Sequence, residues 1–132
     1  MNTVKIPESH ADLFTKKTFA HLATIDPEGF PHVSPMWIDR DGDMILLNTT
    51  RDRVKSRNIS KNTKIGLSLI DPDDPYRYMA VEGVVTEVRE QGAEEHVHKL
   101  SQRYLGQRYP RLQANDPRVI WVIRPTHVKV QG

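Results

Sequence analysis

Cysteine is absent from this chain. Disulfides, thiolate nucleophiles and cysteine-based zinc sites are therefore excluded. Long apolar runs are also missing. No stretch approaches the roughly 18–20 uncharged apolar residues a membrane-spanning helix needs. The opening MNTVKIPESHADLF has no apolar core and no small-residue cleavage site, so no secretory leader is expected and the cytoplasm is the expected compartment. There is no Walker loop, no GxGxxG, no nucleophile elbow and no HExxH, so hydrolase, kinase and zincin chemistry have no visible residues. Aromatic residues are few, at 7%. A single-stranded nucleic-acid binder would interleave more of them with its cations, so nucleic acid is not the expected partner.

What is present is an ordinary globular mixture, 37% hydrophobic and 27% charged over 132 residues. That length suits one domain spanning residues 1–132. The net charge is only +2, but its distribution is uneven. Between Arg51 and Lys64 six basic residues face a single acid, Asp52, a local charge of +5 that leaves −3 for the rest.

Hydrophobic period and turn residues give the element order. A short helix is expected over Glu8–Lys16, with Pro7 near its start. Strands follow over Thr18–Asp26 and Pro31–Asp39, joined by the Asp26-Pro27-Glu28-Gly29 turn. The two prolines of the second strand make it an edge or bulged strand. Arg40-Asp41-Gly42 turns into a buried strand over Met44–Asn48. A helix over Thr49–Ser60 is expected, N-capped by Thr49 or Thr50. Strands over Lys64–Ile70 and Tyr76–Arg89 come next, with Gly83 a candidate bulge. Ala93–Leu105 is the strongest helix, with acids at its start, an apolar stripe of Val97, Leu100 and Tyr104, and Gly106 to end it. A loop over 107–117 leads to a last strand over Arg118–Val130, broken near Pro125. No βαβ repeat is visible. Six strands joined by short turns predict a mainly β fold, an antiparallel Greek-key barrel with short helices.

The junction Asn48-Thr49-Thr50-Arg51-Asp52-Arg53-Val54-Lys55 is the strongest local feature. A helix start offers amide donors and a positive dipole end. Threonine hydroxyls and the cations of Arg53 and Lys55 would add to it. Converging donors and cations suit a phosphate; the same residues are also compatible with a solvated basic face. The six histidines do not make a metal site: His96 and His98 point to opposite sides of a helix, and the others are scattered. Trp37, Trp121, Tyr76 and Tyr78 fit either a core or a surface that stacks a planar ring.

Three strings in order, FAHLATIDPEGFPHVSPMWID, MILLNTTRDRVKSRNI and YRYMAVEGVVTEV, resemble the pyridoxamine 5′-phosphate oxidase-like, FMN-binding split-barrel superfamily. Within it the chain is most similar to the short branch that uses the deazaflavin coenzyme F420. The resemblance implies a six-stranded split barrel and a homodimer with cofactor at the subunit interface. It implies an oxidoreductase that passes a hydride from reduced F420 to a small unsaturated substrate. FMN is the alternative cofactor, and a non-catalytic cofactor-binding or nucleic-acid-binding barrel the alternative role. By the same resemblance Thr49, Thr50, Arg53 and Lys55 hold the cofactor phosphate, with Asn48 at the same junction. Ser34, Pro35, Met36 and Trp37 lie along the ring. Tyr76, Arg77 and Tyr78 belong to a segment a partner subunit brings to the cofactor, and Trp121 lies near the site. The C-terminal substrate segment of the vitamin B6 oxidases has no equivalent, which argues against pyridoxamine phosphate as substrate.

Overall fold

The computed structural model describes residues 3–112 and 117–132. The part of the expected 107–117 loop at 113–116 lies outside the described residues. Among the described residues seven strands form one antiparallel sheet: β1 (Phe19–Ile25), β2 (Pro31–Trp37), β3 (Asp39–Asp41), β4 (Met44–Thr50), β5 (Lys64–Asp71), β6 (Asp74–Arg89) and β7 (Arg118–Gln131). Their spatial order is β2-β1-β5-β6-β7-β4-β3. The β5–β6–β7 meander is thus inserted between the β1–β2 and β3–β4 hairpins, a Greek-key order. The sheet curls until β2 meets β4. Inside lie Leu22, Ile45, Leu47, Leu69, Met79, Trp121 and Ile123, all fully buried.

The count is seven strands and not six because the expected Pro31–Asp39 strand divides at Ile38. The Ile38 amide donates to Tyr104 Oη at 3.0 Å, and its carbonyl accepts from Arg103 at 2.6 Å. Both partners come from α2 (Ala93–Leu105), which takes Ile38 out of the ladder. That helix matches its expected bounds. It packs Ala93 on Ile120 and Val122 outside the barrel.

The helix after β4 starts later than expected. The strand continues through Thr50, paired with Arg118, and α1 runs over Val54–Lys61 with Arg53 at its N-cap. Thr49 and Thr50 therefore do not cap it. The first expected helix is a 3-10 segment over Glu8–Phe14. Near Gly83 the β6–β7 register shifts as expected. A Cβ there would meet Ile123 Cγ2 at 2.8 Å and the Arg124 carbonyl oxygen at 2.9 Å, so the two strands approach too closely for any side chain.

Candidate anion and cofactor site

The end of β4, the start of α1, the middle of β2 and the start of β7 converge on Lys55. Its position two residues after the N-cap turns it inward, and it is only 8% exposed. The ammonium lies 3.3 Å from Ser34 Oγ and 3.0 Å from Met36 Sδ on β2. Among the described residues no carboxylate comes within 4 Å of it. Burial, then the nearby charges of Arg53 and Arg118, push its pKa down. A buried ammonium with only neutral partners and two cations nearby is unfavourable unless an anion joins it.

The surrounding donors are held in place. Arg53 Nε donates to Thr50 Oγ1 at 3.2 Å, and that hydroxyl donates to Asp52 at 2.6 Å. The N-cap residue, Arg53, makes no side-chain capping bond to α1. Arg118 Nε donates to Asn48 Oδ1 at 2.8 Å, and its guanidinium lies 5.1 Å over the ring of Tyr109.

Beside this cationic pole lies a cleft of about 450 Å³. Met36, Asn48 and Arg118 border both. Phe19, Pro35, Trp37 and Tyr109 give it flat apolar walls. Trp37 stacks on Tyr104 with centroids 5.0 Å apart and planes 6° from parallel. Tyr104 is itself fixed, donating to the Thr18 carbonyl and accepting from Ile38. A planar ring tethered to a phosphate matches this pairing of apolar slot and buried cation.

The sequence model of pyridoxamine 5′-phosphate oxidase matches residues 6–132. The chain belongs to the pyridoxamine 5′-phosphate oxidase family. Its structure is similar to that of an F420 reductase, with a TM-score of 0.83 and 37% identity over 94% of this chain and 98% of that one. A conserved hypothetical protein of Mycobacterium tuberculosis shares 26% identity at a TM-score of 0.74, over 97% of this chain and 85% of that one. HupZ of Group A Streptococcus shares the fold at 23% identity and a TM-score of 0.71, over 95% and 93%. No curated protein matches the chain.

On this oxidase-family barrel the expected site residues fall into two groups. Ser34, Met36, Asn48, Thr50, Arg53 and Lys55 come together at the pole, and Pro35 and Trp37 line the cleft. The others do not join them within one chain. Thr49 alternates onto the inner face with Ile45 and Leu47 and is 4% exposed. Trp121 is wholly buried in the barrel opposite Leu47. Tyr76 and Tyr78 stand at the start of β6, Tyr76 being 79% exposed. Arg77 is committed to its own chain: it donates to Asp12 and Asp71 at 2.7 Å and to the Ser9 carbonyl at 2.6 Å. This ties the 3-10 helix to the β5–β6 hairpin. Backbone and side-chain donors hold the Asp71 carboxyl down to about 2: chiefly the Asp73 amide, then Lys16 and Arg77, together outweighing burial.

Sequence reasoning missed Arg118 and Tyr109. Arg118 opens the last strand and carries no motif. Only the register that sets it opposite Thr50 brings it to the pole.

Proposed function

We propose that the protein is an F420-dependent oxidoreductase acting on a small unsaturated organic substrate. The buried, carboxylate-free Lys55 beside an aromatic-walled cleft carries this reading. The likeness to an F420 reductase supports it. When bound, the reduced deazaflavin would supply the hydride; the protein's part is binding, orientation and exclusion of water. Lys55 and Arg53 would hold the phosphate, with Ser34 and the first amides of α1. Pro35, Met36 and Trp37 would lie along the ring. Arg51, Arg57 and Lys61, all exposed, would meet the carboxylates that extend beyond the phosphate of F420. FMN ends at its phosphate and gains little from them.

The reading includes a homodimer. The outer face of β2-β1-β5-β6 carries Val33, Phe19, Ala23, Gly66, Ile70 and Ala80, with His21, Ser68 and Glu82 on the same face. Phe19 is 49% exposed and Val33 61%. Such a largely apolar sheet face, with few charges, fits a second copy of itself. A partner lying there could bring Tyr76 and Tyr78 towards the first chain's cleft.

Competition titrations of F420 against FMN at two salt concentrations test the cofactor assignment. F420 is expected to bind more tightly, with an advantage that shrinks as salt screens the outer cations. FMN that F420 cannot displace would favour the FMN flavoprotein alternative.

A further inference from the structure

We infer that His96 is a positioning residue for the anion pole, acting through Asn48 on Arg118. This rests on the reading of Lys55 and Arg118 as an anion site, and it adds to it a residue that touches neither cofactor nor cleft.

The hydrogen bonds fix the direction of the relay. Arg118 Nε can only donate, so the Asn48 oxygen that faces it at 2.8 Å is the acceptor. The Ala93 carbonyl can only accept, so Asn48 Nδ2 faces it, at 2.9 Å. The amide orientation is therefore decided from both ends. The same Nδ2 lies 3.1 Å from His96 Nδ1. That ring nitrogen must accept, and so carries no proton. The proton is on Nε2, which donates to Asp39 Oδ2 at 2.9 Å. His96 is thus held as the neutral Nε2–H tautomer, with its side chain 9% exposed. The charged groups around it are Asp39 from β3, Lys99 and Arg103 from α2, and Arg118 beyond Asn48. Lys99 and Arg103 approach the same carboxylate at 3.8 and 3.1 Å.

The consequence reaches the site. A second proton on Nδ1 would set donor against donor at Asn48. Turning the amide would satisfy the imidazolium but present Nδ2 to Arg118, another donor. Arg118 Nε keeps its acceptor on Asn48 while His96 Nδ1 is a bare acceptor; its second bond, from Nη2 to the Asn48 carbonyl at 3.3 Å, does not depend on the amide. A leucine at 96 removes one of the two acceptors of Asn48 Nδ2 and leaves the Ala93 carbonyl alone to hold the amide against turning. An asparagine can place its own oxygen where Nδ1 lies.

Two measurements test this. Nitrogen-15 NMR of the imidazoles in the full, ligand-free chain at neutral pH is expected to show His96 protonated at Nε2 alone. Protonation at Nδ1 would overturn the relay. Sulfate, whose charge is constant from pH 5 to 8, then serves as the anion probe, followed by backbone amide shifts. His96→Leu is expected to weaken sulfate binding roughly tenfold, the scale of one misaligned charge-assisted hydrogen bond. His96→Asn is expected to recover most of it, which a residue needed only for stability would not do. Equal affinities in wild type and both variants, or equal losses in both, would overturn the relay. Absence of sulfate binding in the wild type would overturn the anion-site reading beneath it. Should the leucine variant not fold, the tautomer and the asparagine variant still decide.

Discussion

At the scale of single residues, Lys55 is a burden on the fold. Its ammonium is buried among neutral partners and other cations, so it costs the fold free energy that an anion would recover. Lys55→Met keeps the length and apolar volume and removes the charge. The variant is expected to unfold at a higher midpoint, by about 1–3 kcal/mol in denaturant titration. The pH dependence follows from the sign. Folding lowers this lysine's pKa, so its penalty is full at neutral pH. The penalty is relieved as pH rises through the folded value towards the ordinary lysine range. Wild type is therefore expected to gain on the variant at alkaline pH. A variant less stable than wild type at pH 7 would show that Lys55 is a structural cation. The residue types at this site were legible because Thr50, Arg53 and Lys55 lie close in sequence. What each one does was not. Thr50 faces Asp52 and Arg53 while Thr49 faces the core, a difference set by the strand running two residues further than the local pattern suggests.

Among the elements, α2 is joined to the β3 edge through one carboxylate. Burial alone would raise the pKa of Asp39. The hydrogen bond from His96, the Arg40 amide, Arg103 and Lys99 outweigh it and bring the pKa from 3.8 to about 2. The lowered value means that this carboxylate stabilises the fold above about pH 4 and that the contribution is lost as pH falls through 2. Asp39→Asn is expected to lose about 2 kcal/mol near neutral pH, with the gap to wild type closing towards pH 2. A gap that stays constant in acid would assign the loss to packing instead. This junction was hidden from the sequence. Asp39 read as the end of one long strand, and His96 only as half of a rejected metal pair. Their partners are more than fifty residues apart. The α2 helix itself was legible to the residue, because its start acids, apolar stripe and closing glycine are all local.

For the whole molecule, the antiparallel Greek-key barrel was legible from turn chemistry and alternation, whereas the cleft was not. The cleft is assembled from β1, β2, β4, α2 and β7, and no periodicity reports how such distant segments meet. The open sheet face over Val33, Phe19 and Ile70 belongs to the same scale. Sedimentation at micromolar concentration is expected to give a mass near twice 15.2 kDa. Phe19→Asp, which places a charge at one end of that face, is expected to shift it towards the monomer. A wild-type monomer with full cofactor affinity would remove the shared-site element of the proposal.

The most direct test joins these scales in one calorimetric experiment. F420 is titrated into wild type, into Lys55→Met and into Arg89→Ala, the last a control that removes an exposed cation paired with Glu87. Wild type and the Arg89 variant are expected to bind one coenzyme per chain with equal affinity. The Lys55 variant is expected to bind more weakly by roughly 1.5–3 kcal/mol while remaining folded. Equal affinity in all three proteins would contradict the assignment of the buried lysine as the phosphate anchor.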